Sequence, residues 1–340
     1  MKRPGKLVAL VLAAVFAAAL FTGCSISGEQ VKIGLSLGTL KEERWVRDRD
    51  KMIALAKEDG AELLVQCANL DASSQISQCD SLISQGIKVL ILAPHDAEGA
   101  AAIVERAHKA GVKVISYDRL VLNCEPEIYL SFDNVKVGEI QGKYLTEKVP
   151  KGNIVFLSGA PTDNNTRLLK QGAAKYIQAK VASGDYRIVM EQGIKDWKAE
   201  EAMKLMEQAL AASNNDIQGV LAPNDGTAEG CIQALAARGL AGKVPITGQD
   251  SELAAARRII EGTQSMTVFK DTRALAIAAM DAAMKLAKGE SLDKEATQKV
   301  NNNKIDVPSI LLTPIAIDKS NLDKELIESG YLKKEDVYGG

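Results

Sequence analysis

Short apolar segments of strand length alternate along the chain with longer amphipathic segments, and this alternation constrains the fold more than any other feature. The strand-length segments, rich in Val, Ile and Leu, cover residues 31–37, 61–67, 88–93, 113–117, 153–157, 186–190, 219–222 and 244–247. The segments with apolar residues three to four positions apart, which predict helices, cover residues 45–59, 73–85, 99–110, 164–183, 198–212 and 227–238. Repeated strand–helix units predict parallel sheets with helices on both faces.

The length of the chain favours two lobes. At 340 residues a single hydrophobic core stops growing, and chains of this size usually divide into two units. The fractions of hydrophobic residues (46%) and charged residues (25%) are typical of a globular protein, so disorder as the main state is excluded. A formal net charge of −2 leaves no basic excess for holding a polyanion, so we expect no nucleic-acid partner. The sequence therefore predicts an α/β protein with two doubly wound parallel-sheet lobes.

The N-terminus has the order of a secretory signal. Basic residues within positions 2–6 precede an apolar run over residues 7–21, which as a helix of about 22 Å is too short for the hydrocarbon core of a membrane. The end of this segment resembles a bacterial lipobox, although Phe21 stands where that motif usually has Leu. We predict removal of residues 1–23, lipid attachment at Cys24 and an extracytoplasmic, lipid-anchored protein. A plain signal peptide that happens to end near a cysteine is the alternative.

The other cysteines and the histidines give no sign of a disulfide framework or a metal site. A single disulfide and free buried thiols both remain open for the four scattered cysteines, Cys67, Cys79, Cys124 and Cys231. His95 and His108, the only histidines, have no partners at metal-ligand spacing. We therefore expect neither a metal nor another cofactor.

Polar clusters follow the ends of the predicted strands, where ligands bind in open α/β sheets. The candidate ligand-binding residues at these ends, together with a tryptophan further along the chain, are Arg44, Trp45, Asp118, Arg119, Asn165, Trp197, Asn224, Asp250 and Lys270. Carboxylates accept hydrogen bonds from paired hydroxyls, cationic groups donate to hydroxyl and ring oxygens, and indoles cover the C–H faces of a sugar ring. The set favours a small neutral polyhydroxy ligand.

Two enzymatic interpretations compete with simple binding. Residues 34–38 match the G-x-S-x-G nucleophile elbow, but they fall in the first strand, before the sheet on which such an elbow is built. A glycoside hydrolase using Asp118 and Asp250 as acid and base is the other. Arg119 and Lys270 would hold both acids ionised, which removes the proton donor that this reaction needs. Since Walker-type and dinucleotide-type glycine loops are also missing from the sequence, we expect a binding protein and not an enzyme.

The chain resembles, in order and spacing of its motifs, the periplasmic sugar-binding family of bacterial ABC transporters, which includes ribose and galactose binders. The segments that carry the resemblance are VKIGLSLGTLKEERWVRDRD, VISYDRL, YLSFDNVKVGEIQGKYL, GAPTDNN, DWKAEEAMKLMEQAL, LAPNDGTAEGCIQAL, ITGQD, GTQSMTVFKD and DVPSILLTPIAI. Arg44-Trp45, the DNN of residues 163–165 and the DVPS of residues 306–309 are similar to the xylose-binding branch in particular. The calcium-loop pattern of galactose binders is not found in this sequence.

The resemblance implies a type I periplasmic binding protein with a three-stranded hinge. Residues 31–131 and 271–305 would form the N-terminal lobe, and residues 132–270 and 306–336 the C-terminal lobe. The chain would cross between the lobes near residues 131–132, 267–270 and 304–308.

The resemblance also implies a function. The protein would capture a monosaccharide, D-xylose, by lobe closure and deliver it to an ABC import permease; ribose, arabinose or glucose is the alternative. The hydrogen bonds would come from Arg44, Asp118, Arg119, Asn165, Asn224, Asp250 and Lys270, while Trp45 and Trp197 would sandwich the sugar. We expect a monomer, and a chemoreceptor as a further partner remains open.

Overall fold

The structure, a computed structural model, describes residues 30–339. The predicted signal segment and the predicted lipid attachment at Cys24 lie outside this range. The described strands are β1 (Lys32–Leu37), β2 (Glu62–Cys67), β3 (Val89–Ala93), β4 (Lys113–Tyr117), β5 (Ile128–Phe132), β6 (Gly152–Ser158), β7 (Tyr186–Gly193), β8 (Gly219–Leu221), β9 (Thr267–Phe269), β10 (Gln298–Asn301), β11 (Asp306–Leu312) and β12 (Ile315–Ile317).

Helices separate most of these strands, as the alternating pattern predicts. The α-helices are α1 (Glu43–Glu58), α2 (Ala72–Ser84), α3 (Ala101–Lys109), α4 (Asn134–Lys148), α5 (Asn164–Ala182), α6 (Ala199–Ala212), α7 (Asp225–Ala236), α8 (Leu253–Glu261), α9 (Thr272–Ala287) and α10 (Lys334–Tyr338). A 3₁₀ helix, Lys195–Trp197, and a π-helix, Asp323–Glu328, complete the set in this part of the chain. No helix of residues 30–339 is both long enough and apolar enough to cross a membrane.

The first lobe is built on a seven-stranded sheet in the order β10-β11-β5-β4-β3-β1-β2. All neighbours are parallel except the β10–β11 pair. Strand β3 is buried along its whole length, as expected for a parallel strand covered on both faces. Its residues Val89 and Ile91 pack in one core cluster with α1 and α9, whereas Leu90 and Leu92 pack in another with α2 and α3.

The second lobe contains a parallel sheet in the order β7-β6-β8 and an antiparallel pair, β9 and β12. The predicted strand over residues 244–247 is reduced to an isolated parallel bridge between Ile246 and Val220. The Ile246 carbonyl also accepts a hydrogen bond from the Ser265 N–H, which links this segment to the chain before β9. Helices α4 and α5 pack closely because Gly138 has no side chain: a Cβ there would lie 1.9 Å from the Leu169 carbonyl oxygen.

Three connections join the lobes. The first leads from β5 to α4, the second from β9 to α9 and the third from β11 to β12. They run side by side, since the Asp133 N–H donates to the Leu312 carbonyl and Ile315 pairs with Phe269. The prediction that residues 306–312 belong to the C-terminal lobe is wrong. This strand pairs with β5 in the first sheet, so the third connection follows Leu312.

The four described cysteines, Cys67, Cys79, Cys124 and Cys231, are free thiols, and all but Cys67 are buried. Within residues 30–339 no cluster of three or more His, Cys, Asp or Glu side chains is arranged to hold a metal ion. Packing between helices and sheets therefore holds this part of the chain together.

Candidate functional site

One cavity between the lobes has all nine predicted ligand-binding residues in its wall. It contains about 330 Å³ of atom-free space, part of it open to solvent. All nine residues are at most 8% exposed to solvent. They are Arg44, Trp45, Asp118, Arg119, Asn165, Trp197, Asn224, Asp250 and Lys270.

The strand ends and helix starts of both lobes position these residues. Arg44 and Trp45 lie in the first turn of α1, and Asp118 directly follows β4. From the second lobe, Asn165 is the second residue of α5 and Asn224 is the N-cap of α7. The Oδ1 atom of Asn224 accepts a hydrogen bond from the Thr227 N–H at 3.0 Å, so the side-chain NH₂ group is the part available to a ligand.

Three of the site residues have left-handed backbones. The φ angles are 57° at Asp118, 56° at Trp197 and 95° at Asp250, values that residues other than glycine rarely adopt. The Asp118 carbonyl is held by Tyr129 Oη at 2.9 Å and Ser131 Oγ at 2.7 Å. Such backbone conformations persist where the surrounding structure enforces them, and they cluster at functional sites.

A buried ion-pair network surrounds Arg44. Its Nη1 donates to Asp118 Oδ2 at 2.6 Å and its Nη2 donates to Asp48 Oδ2 at 3.0 Å. Asp48 also accepts a hydrogen bond from Tyr117 Oη at 2.6 Å. Burial acts to raise the pKa of Asp118, but Arg44 and Lys270 outweigh it and hold that pKa below its usual value. Asp118 is therefore ionised at neutral pH.

Lys270 connects the two carboxylates of the candidate acid–base pair. Its Nζ lies 2.9 Å from Asp250 Oδ1 and 4.0 Å from Asp118 Oδ2. Arg44 Nη1 lies 3.9 Å from the same Asp250 oxygen. The two lobes therefore share one charge cluster, since Arg44 and Asp118 belong to the first and Asp250 to the second.

Arg119 and Trp197 both contact a further carboxylate, Asp163. Arg119 Nε lies 2.9 Å from Asp163 Oδ2, and Trp197 Nε1 donates to the same oxygen at 3.2 Å. The indole fits only because residue 159 is glycine: a Cβ on Gly159 would lie 2.1 Å from the ring. Trp45 lies on the opposite lobe, with the Arg44 guanidinium 4.4 Å from its ring centroid.

Three buried acceptor oxygens in the cavity wall make no hydrogen bond within the described residues: Glu42 Oε2, Gln249 Oε1 and Asp250 Oδ1. The ammonium of Lys270 is close to the Asp250 oxygen but is not aligned for a hydrogen bond. Buried polar atoms are nearly always paired in folded proteins, so these oxygens indicate a ligand that carries hydroxyl donors.

The sequence-based set omits three cavity residues: Glu42, Asp163 and Gln249. Each is adjacent to, or two positions from, a predicted residue, and each lies in a polar cluster after a predicted strand. Their position in these polar clusters is the sequence signal that could have identified them. Which member faces the ligand depends on loop geometry, which spacing does not determine.

The lobes are in contact around the rim of the cavity. The Ala97 N–H of the first lobe donates to the Thr162 carbonyl of the second at 2.9 Å. The Leu253 N–H, at the start of α8, donates to Glu43 Oε2 at 3.0 Å. Since eleven of the twelve cavity residues are almost fully buried, and Glu42 is partly buried, a sugar-sized ligand enters only when these contacts open.

Comparison with known proteins agrees with this geometry. A family model described as a periplasmic binding protein domain matches residues 33–291. A D-xylose-binding periplasmic protein of Haemophilus influenzae is 43% identical, covering 98% of this chain and 99% of the relative. The protein of the same name from Escherichia coli is 42% identical, covering 94% of this chain and 96% of the relative.

A solved structure is also similar. The carbohydrate-transporter solute-binding protein of Chloroflexus aurantiacus, in complex with D-glucose, has a TM-score of 0.84 at 34% identity. The match covers 91% of this chain and 98% of that one. The chain belongs to the periplasmic binding protein family. It is accordingly an extracytoplasmic sugar-binding receptor and not an enzyme, as the sequence predicts.

Proposed function

We propose that this protein captures D-xylose between its lobes and delivers it to an ABC import permease. The observation that carries the proposal is the interlobe cavity, in which three buried acceptor oxygens make no hydrogen bond within residues 30–339. A neutral sugar supplies hydroxyl donors to such oxygens without adding charge to the buried ion pairs. The D-xylose-binding relatives, similar over nearly the whole chain, support the choice of sugar.

Lobe closure is the mechanism that we propose for capture. Arg44, Trp45, Asp118 and Arg119 project from the first lobe, whereas Asn165, Trp197, Asn224 and Asp250 project from the second. A ligand that contacts both groups stabilises the closed arrangement over the open one. Lys270 lies in the second of the three connections, and its contacts with Asp118 and Asp250 would form when the lobes close.

The aromatic residues support a ring-shaped ligand. Trp45 and Trp197 belong to opposite lobes and both line the cavity. Indole faces cover the apolar C–H face of a pyranose, while the polar groups of the cavity meet its edge. We propose that the two indoles hold the sugar between them.

The membrane attachment and the permease complete the proposal. The lipobox-like sequence ending at Cys24 supports a lipid anchor, which would keep the receptor beside its permease. Metabolic labelling with palmitate, compared between the natural chain and Cys24→Ala, tests the anchor. Label that persists in the variant would contradict it.

Fluorescence titration tests the sugar. The chain contains only two tryptophans, Trp45 and Trp197, so its indole emission reports on the cavity. The purified protein is titrated with D-xylose, D-ribose, L-arabinose and D-glucose. We expect a saturable change with D-xylose at micromolar concentration, and the absence of any response across the panel would contradict the proposal.

D-Glucose is the second candidate, because two similar structures contain it. Besides the Chloroflexus protein, an ABC transporter solute-binding protein of Clostridium phytofermentans with bound β-D-glucose has a TM-score of 0.82 at 32% identity. The match covers 90% of this chain and 99% of that one. Tighter binding of D-glucose than of D-xylose in the same titration would favour this candidate.

A further inference from the structure

The side chain of Glu42 occupies an unusual position at the start of α1. Glu42 is the N-cap residue of this helix, with an extended backbone (φ −75°, ψ 137°). An N-cap side chain commonly accepts a hydrogen bond from an N–H group in the first turn. Glu42 makes no such bond, and its carboxylate lies in the wall of the cavity instead.

The Oε2 atom of Glu42 is buried and has no hydrogen-bond partner among residues 30–339. Burial raises the pKa of this carboxyl, and the attraction of Arg119 only partly offsets the effect. No cationic side chain of the described residues lies within ion-pair distance of it. Burying a carboxylate oxygen without a hydrogen bond costs free energy, so a hydrogen-bond donor from a ligand would stabilise this oxygen.

Two other carboxylates of the cavity, Asp118 and Asp163, already accept hydrogen bonds from the protein on both oxygens. Asp118 accepts hydrogen bonds from Arg44 on Oδ2 and from Asn165 on Oδ1, at 2.6 and 3.3 Å. Asp163 accepts from Trp197 and from the Asn165 N–H, and pairs with Arg119. Their main role is to orient cationic and amide groups. Glu42 and Asp250 each keep one oxygen without a hydrogen bond among the described residues, but the Asp250 oxygen has the Lys270 ammonium 2.9 Å away, whereas Glu42 Oε2 has no such ion pair.

We propose that Glu42 is a specificity-determining residue whose Oε2 accepts a hydrogen bond from one hydroxyl of the bound sugar. This inference rests on the proposed function and deepens it. A site that hydrogen-bonds a hydroxyl rejects the analogue that lacks it, because the buried oxygen then stays unpaired. Glu42 thus selects sugars that present a hydroxyl at that one ring position.

The test is isothermal titration of the full chain and of the variants Glu42→Gln and Glu42→Leu. The ligands are D-xylose and its 1-, 2-, 3- and 4-deoxy derivatives. We expect Glu42→Leu to bind D-xylose about 10-fold or more weakly, the size of one hydrogen bond to a charged group. We also expect one deoxy sugar to bind the natural protein and Glu42→Leu equally, which identifies the hydroxyl concerned.

The matched control is Glu58→Gln, an exposed glutamate at the other end of α1, and we expect it to bind like the natural protein. If Glu42→Leu fails to fold, the near-isosteric Glu42→Gln replaces it, and its melting curve shows whether it is folded. We expect this variant to bind D-xylose more weakly than the natural protein. Two results would overturn this inference while leaving the proposed function intact. One is a folded Glu42 variant that binds D-xylose within about 2-fold of the natural protein. The other is a Glu42→Leu variant that loses the same affinity, relative to the natural protein, for all four deoxy sugars. A natural protein that binds no sugar contradicts the proposed function.

Discussion

At the scale of single residues, the site depends on buried charges that hold one another in place. Arg44 contacts Asp118 and Asp48, and Lys270 contacts Asp250, all with negligible solvent exposure. Removing one member of a buried pair is strongly destabilising to the arrangement, because the partner remains charged and unpaired. The ion pairs therefore act mainly by fixing the shape of the cavity.

Asp118→Asn tests this role. The substitution keeps the volume but removes the charge that Arg44 and Lys270 face, so the cavity should rearrange. We expect sugar affinity to fall about 100-fold or more, consistent with a broken buried pair. Isothermal titration measures the loss, and Asp50→Asn, an exposed aspartate on α1, is the control. Affinity near that of the control would contradict the role.

Gly159→Ala tests the placement of Trp197. A methyl group at residue 159 would lie 2.1 Å from the indole, so the ring must move out of the cavity wall. We expect weaker binding of every sugar, since an aromatic face does not distinguish hydroxyl configurations. Gly226→Ala, where the nearest atom is 4.0 Å away, is the matched control. Loss of affinity for one sugar only would show that the ring contacts a specific hydroxyl.

At the scale of elements, the start of α8 brings like charges together. Its N-cap, Glu252, makes no capping bond, and burial raises the pKa of its carboxyl to about 9, with Asp225, Asp250 and Glu43 adding to the shift. The folded protein therefore retains a proton that the unfolded chain has lost above about pH 4 to 5. Folding stability attributable to Glu252 falls as pH rises toward 9.

Glu252→Gln should remove this dependence. The free energy of unfolding of the natural protein, measured with urea between pH 6 and 9, should decline by about 1 kcal/mol or more through this group. The variant should show a flatter profile and be the more stable protein at pH 8. Parallel profiles for the two proteins would contradict the assignment.

Much of this was predictable from sequence, for identifiable reasons. Parallel strands end at a common edge, so polar residues after separate strands converge, and the nine predicted residues share one cavity. The assignment of residues 306–312 failed because an apolar strand can join either sheet; pairing with β5 decides it. The orientation of Glu42 was inaccessible because an N-cap residue faces either its own helix or a neighbouring cavity.

At the scale of the whole molecule, the three connections lie side by side while the cavity residues come from both lobes. In this arrangement the chain bends at the three connections, while the ligand contacts both lobes at the cavity. Binding energy gained at the cavity can therefore change the angle between the lobes without disturbing either core.

Small-angle X-ray scattering tests the change in shape. The structure has interlobe contacts at Ala97–Thr162 and Glu43–Leu253 that must be absent when the cavity is accessible. We expect the radius of gyration to decrease when D-xylose is added. At the lowest sugar concentration that saturates the natural protein, the Asp118→Asn variant should keep the sugar-free value. An unchanged radius in the natural protein at saturating sugar would contradict closure.

The most direct test of the central claim is isothermal titration of the natural protein with D-xylose. The account predicts one sugar per chain and a micromolar dissociation constant, about −8 kcal/mol, with the sugar recovered unchanged. Absence of measurable heat with D-xylose and with every other sugar of the panel, or recovery of a chemically altered sugar, would contradict the account.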